Sequence, residues 1–440
     1  MTWAQNVALR AVADVSLGRQ RSPQHAEGPF MVQYLRAANV KDGVLDLSDM
    51  KSMNFTPGEQ RIFALHPGDV LVTEGSGSLS SVGASAVWQG EIKGPICFQN
   101  TLLRLRPRSY VMDGRFLGWW AQSAFGSGVF ASLAGGANIY HLSAERVRAL
   151  RIKVPPPDEQ RRIADFLDVE TARIDYLVGA RIRQRAMLDE RWYAGVSETL
   201  IPGSTQAARG AGPWPWLPPM QKERPLVRLG YVCRLQGGIT VDGNREVDRD
   251  AVTRPYLRVA NVQSSHIDLT SVTEVTVPRT MAERSTLRPG DVLMTEGGDI
   301  DKLGRGTVWD GQLEGCLHQN HVFALRPEPD RLDAHYLALM TQTLHGRAYF
   351  ESTGSRTTNL ASTSSSKIMS FPIPLPPVTL QRELVCDLMR RQEVLNRTKK
   401  ELDRQLALLT ERRQTLITAA VTGQVDIPTT GGQDFSTVNA

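Results

Sequence analysis

Residues 388–416 read LMRRQEVLNRTKKELDRQLALLTERRQTL, and Leu388, Leu395, Leu402, Leu409 and Leu416 fall seven apart. That period places all five on one stripe of a long helix that winds against a second helix. The chain carries a helix of the same kind 221 positions earlier, where Leu167, Ile174, Arg181, Leu188 and Gly195 stand in the same register and three of the five are apolar. Leu177 adds an apolar residue beside that stripe. The two helices are expected over about 158–200 and about 379–422. At 1.5 Å per residue each is roughly 60 Å long.

The duplication runs far outside the helices. Tyr34-Leu35-Arg36-Ala37-Ala38-Asn39-Val40 returns as Tyr256-Leu257-Arg258-Val259-Ala260-Asn261-Val262. Pro67-Gly68-Asp69-Val70-Leu71 returns as Pro289-Gly290-Asp291-Val292-Leu293, and Thr73-Glu74-Gly75 as Thr295-Glu296-Gly297. Gln99-Asn100 matches Gln319-Asn320, and Leu105-Arg106-Pro107 matches Leu325-Arg326-Pro327. Collinear matches at one long period mean two copies of a domain, not a solenoid. Within each copy, Val70–Thr73 and Val292–Thr295 follow Pro-Gly-Asp turns and read as buried strands. Residues 100–105 and 321–325 read as further strands, and 113–125 and 333–344 as helices with an aspartate N-cap. The expected fold class is α+β, with two tandem α/β domains. Their spans are 1–155 and 223–376; the helical regions are 156–200 and 377–425, the linker 201–222 and a loose tail 426–440.

Composition sets limits. The chain has 440 residues and a net charge of +5, which permits nucleic-acid binding without requiring it. Four cysteines, at 97, 233, 316 and 386, form no CxxC pair and read as small buried apolar residues in a reducing compartment. No signal peptide is evident at the N-terminus, and the uncharged stretch 116–144 is broken by Gln122, Asn138 and several glycines, so no membrane span is expected.

No P-loop, Gly-x-Ser-x-Gly elbow or HExxH occurs. Phe125-Gly126-Ser127-Gly128 weakly echoes a methyl-donor turn, but the Asn/Asp-Pro-Pro-Tyr element of adenine methyltransferases is missing. Asp69 with Glu74, and Asp291 with Glu296, suggest a metal nuclease, yet no catalytic lysine follows at close spacing. Recognition is the remaining chemistry. Arginine pairs bidentately with guanine, and Asn or Gln with adenine, in the major groove. Arg36, Asn39, Gln99 and Asn100 recur as Arg258, Asn261, Gln319 and Asn320. Residues shared by both copies cannot make the copies read different sequences, so they suit scaffold hydrogen bonds or phosphate contacts better than base reading. Base readers are sought where the copies diverge: Ser76 and Ser78 against Lys302, Ala84 against Arg305, and Arg19 with Arg21 against Thr240 and its neighbours.

Taken together, this pattern resembles the specificity subunit of type I restriction-modification systems. The carriers are two copies of Pro-Pro-x-x-x-Gln-Arg, at Pro155-Pro156-Pro157-Asp158-Glu159-Gln160-Arg161 and Pro376-Pro377-Val378-Thr379-Leu380-Gln381-Arg382, the two Pro-Gly-Asp-Val-Leu segments, and the ending Leu416-Ile417-Thr418-Ala419-Ala420-Val421-Thr422-Gly423. The resemblance spans essentially the whole chain. It implies two target-recognition domains separated by two long antiparallel helices that form an intramolecular coiled coil. Each domain would read one half of a bipartite site in double-stranded DNA. It implies no catalytic centre and no cofactor in this chain, which would dock two methyltransferase subunits using S-adenosylmethionine and restriction subunits using ATP and Mg, in the cytoplasm. The heptad leucines, with Leu167, Ile174, Leu177 and Leu188, would form the seam and the docking post. Departures lie in the first helix, where Arg181 occupies the stripe and Gly179 and Gly195 threaten to interrupt it. Two other classes stay open at this level: a single-chain methyltransferase or nuclease with duplicated recognition regions, and a coiled-coil scaffold that never touches DNA.

Overall fold

A computed structural model describes residues 5–205, 226–241, 250–263, 266–298, 303–356 and 361–427. The expected linker from 206 onward and the tail from 428 lie outside the described residues. The chain divides into two units, Met1–Ile182 with Arg404–Ala440, and Arg183–Asp403.

In the first unit a four-stranded antiparallel sheet runs Ala13–Leu17, Leu102–Pro107, Val70–Thr73, Ser85–Val87. Alternation along Val70–Thr73 decides what each face buries. Val70 and Val72 join Phe116, Leu117 and Ala121 of the helix Gly114–Gly126, which Asp113 caps through the N–H groups of Arg115 and Phe116. Leu71 points the other way, to Leu35, Trp88 and Phe98. A three-stranded sheet, Cys97–Phe98, Met31–Leu35 and Lys51–Asn54, completes the second face.

The second unit repeats this plan. Its four strands are Cys233–Gln236, Val322–Pro327, Val292–Thr295 and Gly306–Val308. Val292 opposes Leu325 as Val70 opposes Leu105, so the register is the same in both copies. The helix expected over 333–344 is Ala334–Gln342, capped by Asp333, and a second helix, Leu344–Thr353, follows it because the Thr343 side chain caps a new start by accepting the Gly346 N–H.

Each domain is closed at the root of a long helix. Gln5–Ala8 pairs with Arg151–Val154, and Leu226–Arg228 with Pro372–Pro374. The helices that follow are Pro157–Leu200 and Val378–Thr422. Neither Gly179 nor Gly195 breaks the first one, since burial of an amphipathic face outweighs about 1 kcal/mol of glycine propensity.

Antiparallel pairing is visible inside each unit. In the first, Arg413 Nε reaches Asp175 at 3.1 Å, and Leu167 shares a core with Ile417, Ala420 and Val421. In the second, Arg185 Nε reaches Asp403 at 2.7 Å, Lys399 pairs with Asp189, and Trp192 and Val196 share a core with Val385 and Leu388. Four residues forward on one helix (185 to 189) are four back on the other (403 to 399), as an antiparallel pair requires. Of the heptad leucines, Leu388 and Leu402 are buried and Leu395, Leu409 and Leu416 half-buried; on the first long helix Leu167 and Ile174 are buried and Leu188 half-buried. The row alternating with those leucines is mixed: Val385 and Leu406 are apolar, whereas Gln392, Lys399 and Arg413 are polar. Leu177 is a correction: it is exposed, and Val178, four residues after Ile174, takes the half-buried seam position.

Candidate nucleic-acid interface

The duplicated arginine and asparagine serve different ends. Asn39 is 2 % exposed; its amide oxygen accepts the Arg36 N–H at 3.1 Å, and its amide nitrogen donates to the carbonyls of Asp46 and Asp49 at 2.8 and 3.2 Å. Asn261 repeats this with Arg258, Asp268 and Ser271. Both asparagines spend their amides on a short turn, so they frame the site and are withdrawn as base readers.

The frame exposes the two arginines differently. Arg36 Nη2 is 2.6 Å from Asp49, which Lys51 also contacts at 2.7 Å. The hydrogen bond from Lys51, followed by the charges of Lys51 and Arg36, holds the Asp49 carboxyl below its ordinary value. In the second unit the position of Asp49 is taken by Ser271, as their matching bonds to Asn39 and Asn261 show. Arg258 is exposed and has no ion pair among the described residues. It lines a concavity of about 440 Å³ with Tyr256, Gln319, Asn320 and His321. Gln319 accepts the Val259 N–H at 3.3 Å, while Asn320 is half-buried beside it.

Other candidates fall on both sides of this division. Arg19 is buried: it lies over the Phe55 ring at 5.0 Å, reaches Glu59 at 2.8 Å and bonds the Asn54 carbonyl, so it is a core residue and is withdrawn as a reader. Its match is Ile239, since Arg19 bridges Gln99 as Ile239 bridges Gln319. Arg21 is exposed, and Gln99 and Asn100 are half-buried on the loop that enters Leu102–Pro107. Ser76 and Ser78 stabilise their own turn, the Ser78 N–H donating to Ser76 Oγ at 3.1 Å. Arg305 is half-buried and has an interaction partner within the protein. Lys302 lies outside the described residues.

The two aspartates suspected of metal chemistry are structural. Asp69 and Asp291 are each 1 % exposed and bound bidentately, by Arg106 at 2.7 and 2.6 Å and by Arg326 at 2.7 Å. Each also accepts a turn N–H, from His66 and from Arg288. Of the cysteines, burial pushes Cys97, Cys233 and Cys316 up to about 12, whereas Cys386 is exposed on the second long helix, contrary to expectation. Sequence reasoning also passed over His141 and His321, each of which meets a duplicated glutamate, at 3.2 Å from Glu74 and 2.6 Å from Glu296. The signal was available: His321 directly follows Gln319-Asn320, where the first copy has Thr101.

Residues 7–179 match the family described as Type I restriction modification DNA specificity domain. The Type I restriction enzyme EcoKI specificity subunit of Escherichia coli (strain K12) is 25 % identical over 89 % of this chain and 82 % of its own length. The StySPI specificity subunit of Salmonella potsdam is 22 % identical over the same shares. A structure solved in a study of complex assembly and conformational transition of the type I R-M system is 19 % identical, covers 97 % of this chain and 99 % of its own, and superposes with a TM-score of 0.70. A duplicated fold with paired long helices and relatives aligned over most of their length agree: residues 7–179 match the DNA specificity domain of type I restriction modification, and the chain as a whole is similar to type I specificity subunits.

Proposed function

We propose that this chain is the DNA-reading, non-catalytic subunit of a type I restriction-modification complex, with each unit reading one half of a bipartite, asymmetric site in double-stranded DNA. One observation carries the reading. Two domains share a hydrogen-bonded frame, built on Asn39 and Asn261 and on the pairs Asp69–Arg106 and Asp291–Arg326, yet differ in what they expose on it. A common frame with divergent surface groups is what reading two different half-sites requires.

In this reading the helix pair fixes the distance between half-sites and docks two methyltransferase subunits and the restriction subunits. Methyl transfer by S-adenosylmethionine and DNA translocation and cleavage driven by ATP and Mg belong to those partners, and the methyltransferases flip the target adenine. The complex works in the cytoplasm; no helix among the described residues is long and apolar enough to cross a membrane. The test is a domain exchange. Replacing residues 1–150 with the matching part of a relative changes one half of the methylated site and leaves the other half intact. Altered reading of both halves, or DNA binding without sequence preference at physiological salt, overturns it.

A further inference from the structure

Each unit holds a glutamate at the same place and supplies it with an imidazole from a different place. The Glu74 N–H donates to the Thr101 carbonyl at 2.9 Å, and its own carbonyl accepts the Leu142 N–H at 2.7 Å. The Glu296 N–H donates to the His321 carbonyl at 2.8 Å, and its carbonyl accepts the Thr363 N–H at 2.7 Å. These bonds equate Thr101 with His321 and Leu142 with Thr363; His141 therefore matches Ser362. In the first unit the imidazole arrives from the Leu142 side, with His141 Nδ1 3.2 Å from the Glu74 carboxylate. In the second it arrives from the opposite side, with His321 Nδ1 2.6 Å from Glu296. The same pairing is thus made twice by unrelated positions.

The exchange at 101 and 321 is compensated. The Thr101 hydroxyl accepts the Ala37 N–H at 3.1 Å. In the second unit the matching Val259 N–H goes to Gln319 instead, which releases position 321 to face Glu296. A pairing preserved through such rearrangement, between residues that are not needed to hold the sheet, points to use at the surface. Both rings are more than half exposed, 57 % for His141 and 55 % for His321, and His321 lines the concavity that Arg258 and Asn320 share.

The carboxylate dictates the chemistry. A carboxylate only accepts, so Nδ1 carries the hydrogen, and whenever the ring holds a single proton its outward Nε2 is an acceptor. We propose that Glu74 and Glu296 are positioning residues that fix the tautomer and aim of two base-reading imidazoles, His141 and His321. Each imidazole accepts a hydrogen bond from an exocyclic amino group, adenine N6 or cytosine N4, in the major groove. His321 sets one position of the half-site read by the second unit, and His141 one position of the half-site read by the first. Because the two histidines approach from opposite sides, the positions they read differ between the half-sites.

This inference rests on the DNA-reading function proposed above, and its test separates the two. The full chain, assembled with its methyltransferase, is assayed on duplexes carrying every base at each half-site position. His321→Ala lowers discrimination at one position of one half-site by roughly tenfold, the scale of one lost hydrogen bond, and leaves the other half-site as it was. Glu296→Ala keeps the ring but frees it, and relaxes that same position less. Replacing the contacted adenine with purine, or the contacted cytosine with pyrimidin-2-one, removes the amino group; it weakens wild type by the same factor and His321→Ala not at all. A wild type that reads two half-sites while His321→Ala and His141→Ala retain full discrimination, or weaken all sequences equally, overturns the proposal. A wild type without sequence preference overturns the DNA-reading function itself.

Discussion

The side chain of Gln381 accepts the backbone N–H of Asp333 at 2.9 Å and donates to the carbonyls of Arg331 and Pro376 at 2.9 and 2.7 Å. Gln160 does the same to Asp113, Val111 and Pro155. Asp113 and Asp333 are themselves the N-caps of a domain helix. The glutamine of the duplicated Pro-Pro-x-x-x-Gln-Arg therefore ties the first turn of each long helix to the N-terminus of a helix in its own domain, and both glutamines are fully buried. Gln381→Leu keeps the bulk but leaves three polar groups without partners, each costing about 1–3 kcal/mol when buried. We expect at least about 2 kcal/mol of destabilisation, read as a lower urea midpoint. A midpoint equal to wild type would mean that water replaces the amide at no loss.

Two buried histidines give the second unit a pH dependence. Burial lowers the His318 and His345 imidazoles below the ordinary 6.5, although each bonds a carbonyl, of Val322 at 2.7 Å and of Pro372 at 2.6 Å. Folded, both resist protonation; unfolded, both take a proton near 6.5. Their contribution is thus complete above 6.5 and is lost as pH falls from there toward the lowered folded values, by up to about 1.4 kcal/mol per pH unit for each group. The first unit has Phe98 where the second has His318, as their matched pairing with Leu35 and Leu257 shows. We expect His318→Phe to flatten the fall in melting temperature between pH 7.5 and 5.5. Parallel pH profiles for variant and wild type would contradict this linkage.

The duplicated stretches carried the fold in legible form. Val70–Thr73 and its copy could only be buried strands, and the seven-residue leucine period could only be a seam. Failures occurred where sequence position and side-chain direction part company. Leu177 is apolar and adjacent to the stripe, but a turn of 3.6 residues carries it onto the exposed face. Arg19 looked like a surface reader because arginine is rarely buried; Glu59, Phe55 and the Asn54 carbonyl together satisfy it inside. Asn39 recurs in both copies because a turn needs its amide, a cause that repetition alone cannot distinguish from a contact with phosphate. His141 and His321 were missed because they are not repeats of one another, whereas their partner glutamates are.

Charge fixes the helix pair where apolar residues are lacking. Lys399 occupies a seam position that a leucine would otherwise fill, and it pairs with Asp189 across to the other helix. A polar residue at such a position costs stability and specifies register. We expect Lys399→Glu to destabilise by about 1 kcal/mol, the upper range for a partly exposed pair, with the reciprocal Asp189→Lys restoring most of it. A double-mutant cycle measures the coupling; a value of zero would leave register to the leucines alone.

The proposed ruler function makes a prediction in base pairs. One heptad inserted between Ala180 and Arg181, and one between Ala407 and Leu408, adds two turns to each helix. It leaves the pairs Asp175–Arg413, Arg185–Asp403 and Asp189–Lys399 in step with one another. Each helix lengthens by about 10.5 Å. At 3.4 Å per base pair this adds about three base pairs between the half-sites while both half-sites keep their sequence. Inserting the heptad in one helix only throws the pairs out of step, and we expect that variant to lose stability, not to gain spacing. Methylation mapping on a library of spacers decides the matter: a double insertion that is folded and still prefers the wild-type spacer would remove the helices from any role in setting that distance.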